Sequence, residues 1–186
     1  MKYKVILFDL DHTLWDFENN SKQALHLLFN QYQLQQKGVS GFSHFFETFT
    51  RVNTHLWDLH DKNLIGQDVI RLERFHKVFT EAGVEDYPLS LKFSEDFLLE
   101  LPKGKALLPQ AKETLEYLHS KYPMIIITNG FDEIQGKKLS SGGIHHYFQN
   151  DCNITACRRQ ETFGENIRFC IGGSRAHCRY CNYGGR

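Results

Sequence analysis

The run Phe8-Asp9-Leu10-Asp11-His12-Thr13-Leu14 places two carboxylates two residues apart with a threonine just beyond them. Carboxylates so spaced at the end of a strand can both turn toward one pocket. Together they can hold a hard divalent cation through oxygen ligands. The cation suppresses their mutual repulsion and that of an incoming phosphate. One carboxylate can then attack phosphorus while the other handles the proton. The bland alternative is an acidic loop that caps a helix. Its position, directly after a buried strand and before a long helical stretch, favours the chemistry.

The elements that must position these residues follow from periodicity. Residues 3–8 (YKVILF) form a short apolar run, β-branched at Val5 and Ile6, which predicts a buried parallel strand. From residue 21 to about 35, Ala24, Leu25, Leu28, Phe29 and Tyr32 recur at helical spacing and predict an amphipathic helix. Residues 42–64 continue the helical pattern with many aromatics. Val69, Leu72, Phe75, His76 and Phe79 carry it to Ala82-Gly83, where glycine suits a helix end. Residues 86–88 read as a turn and 90–99 as a further helix. A helix is predicted from Pro109 to about Ser120, a second buried strand at 124–127 ending in Thr128-Asn129-Gly130, and a helix over 131–139. Strand, helical insert, helix, strand, helix is the pattern of a parallel α/β sheet whose ligands bind at the carboxyl ends of the strands. The expected fold is a Rossmann-like α/β core, residues 1–18 and 101–150, with an α-helical cap over 19–100.

Lysine plus arginine and aspartate plus glutamate number 22 each in 186 residues, so no global field favours a nucleic-acid polymer or a membrane. No apolar run approaches the roughly 20 residues of a membrane span. The first residues read as a strand rather than a signal peptide, so a cytoplasmic protein is expected.

Asp9-Leu10-Asp11-His12-Thr13 resembles the first motif of the haloacid dehalogenase (HAD) superfamily, and Thr128-Asn129 after Ile125-Ile126-Ile127 resembles the second. The helical block between them is similar to the cap of the subfamily that inserts it there. Trp15-Asp16-Phe17, residues 52–57 (VNTHLW) and residues 126–131 (IITNGF) resemble the bacterial pyrimidine 5′-nucleotidase branch. The resemblance runs to about Gln149. It implies a magnesium-dependent phosphomonoester hydrolase acting on small phosphate esters, most of all nucleoside 5′-monophosphates. A sugar-phosphate or phosphoglycolate phosphatase is the alternative. By resemblance, Asp9 attacks phosphorus to form an aspartyl-phosphate, and Asp11 protonates the leaving group and then deprotonates water. Thr13 orders the loop, and Thr128 and the Asn129 amide hold phosphate oxygens. Asp9, through its carboxylate, and Asp11, through its main-chain carbonyl, bind Mg2+. Asp11 also argues against dehalogenation, which needs no acid there. Asn53 and His55 are candidates to face the substrate. For Trp57, Phe75 and Phe79, helix packing is favoured over base stacking. The oligomeric state is not legible.

Composition changes abruptly near residue 150. All five cysteines (Cys152, Cys157, Cys170, Cys178, Cys181) and six arginines lie beyond it, against three arginines and no cysteine before. The family's downstream lysine and Gly-Asp motifs are absent from residues 151–186. Read one base over, the codons of Gln160-Glu161 and of Glu161-Thr162 each permit only lysine or arginine, and those of Thr162-Phe163 permit proline. One permitted reading carries a Lys-Lys-Pro run, a helix, a strand and a terminal Gly-Asp in the family's order. The expectation is a frame change near Asn150 that replaced the rest of the core. The chain as written is then poorly stable and nearly inactive, its carboxylates lacking a protein cation. The rival is a non-catalytic protein whose tail binds zinc through Cys178-x-x-Cys181 with Cys157, Cys170 and His177.

Overall fold

The computed structural model describes residues 6–148 of the chain. The tail expectations, both the frame change and the zinc site, lie outside the described residues. Two strands, β1 (Ile6–Phe8) and β2 (Met124–Ile126), pair in parallel with Ile6 opposite Met124 and Phe8 opposite Ile126. Parallel neighbours require a crossover. Here it contains α1 (Phe17–Gln31), α2 (Phe42–Asp61), α3 (Gln67–Glu81), α4 (Tyr87–Glu100) and α5 (Ala111–His119), and α6 (Asp132–Ser141) follows β2. This is the Rossmann-like α/β core with a helical insert that the sequence pattern predicts. Two compact units result, one spanning Asn19–Gly104 and the other formed by the chain on both sides of it.

Within the first unit, Phe45, Phe49, Phe75, Phe79, Phe93 and Phe97 are almost wholly buried. Their rings meet edge-on, tilted or stacked, with the Phe75 and Phe93 centroids 4.8 Å apart. Each such ring removes a large apolar area from water. Phe75 and Phe79 are thus packing residues, as the helical spacing predicts. Local signals close the helices. Gly83 (φ +81°) follows α3, with Val84 N donating to Phe79 O and Gly83 N to Thr80 O, the paired bonds of a left-handed helix stop. The α4 helix starts three residues earlier than periodicity predicts, because the Asp86 carboxylate accepts from Leu89 N and Pro88 sits in the first turn. No described helix is long and apolar enough to cross a membrane.

In the core unit, the chain leaving β1 is tied to the chain that returns from the crossover. Asp16 N donates to Ala106 O at 3.1 Å and Leu108 N to Leu14 O at 2.9 Å. Leu10, Leu14 and Trp15 are buried beside this pairing and anchor the loop that carries the aspartates.

Candidate active site

Both strands end at the same edge. Ile127 N donates to Phe8 O at 2.7 Å, which sets the segments after β1 and β2 side by side. An open cleft of about 250 Å3 lies there, lined by Leu7, Phe8, Asp9, Ile127, Thr128 and Asn129. Of the residues singled out in the sequence, Asp9, Thr128 and Asn129 therefore share one cavity. Thr13 reaches it through Asp9, its hydroxyl donating to Asp9 Oδ2 at 2.9 Å. The turn is completed by His12, whose φ of +62° lies in the left-handed region that costs a non-glycine residue energy. His12 N donates to Trp15 O, so the strained turn is held by the buried anchor.

Thr128 is buried, and its hydroxyl accepts from Gly130 N at 3.0 Å, which fixes the second loop. At Gly130 a side chain requires Gln135 to move. A Cβ there would lie 1.6 Å from Gln135 Nε2. Gln135 itself is fully buried, and neither end of its amide has a hydrogen-bond partner among the described residues.

Asp11 is not among the residues lining the cleft. Its two carboxylate oxygens accept from Lys138 Nζ at 2.8 and 2.7 Å. The Lys138 side chain is 2% exposed, that of Asp11 21%. The indole of Trp15 lies 4.8 Å from the ammonium and the ring of Phe17 5.7 Å, faces that attract a cation. For Asp11 the expectation that the carboxylates lack a protein cation is thereby corrected, because α6 supplies one. Lys138 and Gln135 were both missed in the sequence. Both lie on the buried face of α6 with Ile134 and Leu139.

The donors present suit a hard cation of the magnesium type. They are oxygens, and Asp9 presents a carboxylate that is exposed at the cleft. Among the described residues no group of three or more His, Cys, Asp or Glu is placed to hold a metal ion.

In the cap, Asn53 does not face outward. It is buried, and its Oδ1 accepts from Arg74 Nη1 at 3.1 Å. His55 is exposed. Burial, then the nearby Arg71 charge, lowers the Arg74 guanidinium from its usual range to about 9.

A family model described as haloacid dehalogenase-like hydrolase matches residues 3–166, somewhat beyond the stretch ending near Gln149 where the motif resemblance stops. Pyrimidine 5′-nucleotidase PynA of Streptococcus pneumoniae is 31% identical over 150 residues, 80% of this chain and 60% of that protein. Pyrimidine 5′-nucleotidase YjjG of Escherichia coli is 28% identical over 148 residues, 80% of this chain and 61% of that protein. Among solved structures, the HAD-hydrolase YfnB of Bacillus subtilis bound to magnesium is similar with a TM-score of 0.70 at 24% identity, covering 80% of this chain and 64% of that one. A defluorinating L-2-haloacid dehalogenase shares the fold with a TM-score of 0.59 at 18% identity, covering 76% and 57%. The chain spans 60 to 61% of the length of these nucleotidases. The extent of the family match, on a core whose two motif loops meet at one cleft, shows that the chain belongs to the haloacid dehalogenase-like hydrolase family.

Proposed function

We propose that this protein hydrolyses small phosphomonoesters with magnesium through an aspartyl-phosphate, with a nucleoside 5′-monophosphate as the preferred substrate. One observation carries this reading: Asp9, Thr128 and Asn129 line a single cleft at the carboxyl ends of two parallel strands. The pyrimidine nucleotidases among its relatives supply the substrate class.

Thr13 occupies Asp9 Oδ2, and no hydrogen bond from the described residues competes for Oδ1. Oδ1 is then the oxygen that attacks phosphorus, displacing the nucleoside alkoxide. The Thr128 hydroxyl and the Asn129 amide steady phosphoryl oxygens as charge spreads over them. Asp11 gives a proton to the leaving oxygen and later takes one from the water that opens the acyl phosphate. Magnesium would be held by the Asp9 carboxylate and the Asp11 main-chain carbonyl, and when bound it offsets the charge of nucleophile and phosphate. The partner is a small molecule rather than a nucleic-acid polymer or a membrane, and the compartment is the cytoplasm.

The chain as written turns over slowly in this proposal, because the family's lysine and Gly-Asp motifs are missing from residues 151–186. The test is magnesium-dependent phosphate release from dUMP, dTMP and UMP, set against sugar phosphates and phosphoglycolate. Both this chain and a version with the restored reading frame are assayed. Pyrimidine monophosphates are expected to be best, with the restored version faster. A folded restored protein inactive on every ester rejects the phosphatase reading. Preference for a sugar phosphate replaces the substrate alone.

A further inference from the structure

The α6 helix turns two polar side chains inward, Gln135 and Lys138, between the apolar Ile134 and Leu139. An ammonium buried this deeply is expensive unless a charge partner compensates it. Lys138 meets both oxygens of Asp11, a residue 127 positions away in sequence, and the Trp15 and Phe17 rings flank it. The two ends of this pair belong to different elements. Asp11 sits on the loop after β1, whereas Lys138 is fixed on the helix after β2.

That arrangement bears on how a divalent cation is held. A carboxylate free to rotate two residues from Asp9 offers a second oxygen ligand to a hard cation bound there. With both oxygens engaged by a lysine that is itself locked by packing, the Asp11 side chain is not free to do so. We propose that Lys138 is a positioning residue: it withholds the Asp11 carboxylate from the cation, leaving Asp9 as the side-chain carboxylate ligand. The inference does not rest on the phosphatase reading, because it concerns only where a cation finds its oxygen ligands.

The test uses Mn2+ as the probe with the full chain and needs no turnover. Its affinity and its number of bound waters are read by magnetic resonance, the waters counted in 17O-enriched solvent. In Lys138→Met, Asp11 becomes a ligand. Mn2+ then binds about 10-fold tighter, the scale on which residues behind a metal ligand act, and loses at least one water. Adding Asp11→Asn to Lys138→Met returns the lost water. Lys138→Arg, which keeps the charge and can engage both Asp11 oxygens, retains the wild-type water count. Asp11→Asn alone also leaves the count unchanged, and this arm stands even where Lys138→Met fails to fold. Unchanged affinity and hydration in a folded Lys138→Met overturns the proposal, as does a gained water in Asp11→Asn alone. Inactivity of the folded restored-frame protein on every ester rejects the phosphatase reading yet leaves the manganese result to decide on Lys138.

Discussion

The Thr13 hydroxyl donates to Asp9 Oδ2 across a turn whose central residue, His12, is left-handed. The bond selects which Asp9 oxygen is engaged, and the turn keeps the two residues within reach. If Asp9 is the nucleophile, Asp9→Asn lowers phosphate release at least about 10³-fold. Thr13→Val, which keeps the shape and removes the donor, is expected to lower kcat by about 10-fold or more, because the carboxylate loses its orientation. Steady-state kinetics on the fastest ester of the panel checks both. Full activity in Asp9→Asn would remove Asp9 from the reaction.

Arg74 is a buried guanidinium with one side-chain partner, Asn53, while Nε and Nη2 make no hydrogen bond among the described residues. Phe97, Phe75 and Phe49 lie 5.0, 5.1 and 5.9 Å from its central carbon and compensate it in part. Substituting both polar partners, Arg74→Met with Asn53→Leu, is therefore expected to match or exceed wild-type stability, by up to about 4 kcal/mol. Arg74→Met alone leaves Asn53 Oδ1 without its donor and falls below the double variant by about 1–3 kcal/mol. Urea denaturation orders the three proteins. A double variant clearly weaker than wild type would show that the guanidinium is better compensated than its contacts indicate.

Tyr32 donates to Asp96 Oδ2 at 2.6 Å, and burial, then the bond and charge of Asp96, raises its hydroxyl above the usual tyrosine range. A folded value above the unfolded one means that the native state holds the proton more tightly. The stabilisation is fully present below the unfolded value, about 10, and is lost as pH rises beyond it toward the folded value. Tyr32→Phe is expected to cost about 0.5–1.5 kcal/mol near neutral pH. The gap between wild type and Tyr32→Phe should narrow above pH ~10. A gap that widens with alkalinity would reverse the sign assigned here.

What was legible in the sequence was local. The β-branched run ending at Phe8, the acidic pair after it and the threonine after Ile127 are each contiguous, so the first two recognised loops and the cleft they share follow from pattern. The helical insert was legible because Phe45, Phe49, Phe75 and Phe79 repeat at helical spacing. Helix starts were less so. The α1 helix begins at Phe17, ahead of the predicted Ser21, because periodicity becomes visible only from Ala24 while Phe17 packs edge-on against Trp15. Lys138 was not legible because periodicity assigns lysine to solvent, and its partner is distant in sequence. The same holds for Arg74, which looks like a surface charge on α3 until Asn53 and three phenylalanines are seen around it.

Gly130 and Gln135 bring the Thr128 loop and α6 into close approach. Gly130 is not in the left-handed region, so alanine there meets no backbone penalty, only Gln135 Nε2 at 1.6 Å and Thr128 Oγ1 at 3.3 Å. Gln135 is fully buried and has little room to yield. Gly130→Ala is expected to destabilise the protein by about 1–3 kcal/mol as an overpacked site and to weaken inorganic phosphate binding by displacing Thr128. Shortening the obstacle with Gln135→Ala opens the space the new methyl needs. The double variant should therefore recover part of both losses, with an interaction energy of about 0.5–3 kcal/mol. Denaturation and phosphate titration on the four proteins of this cycle measure it. Strict additivity of the two substitutions would mean that Gln135 does not hold the Thr128 loop, and that the close approach at Gly130 relaxes elsewhere.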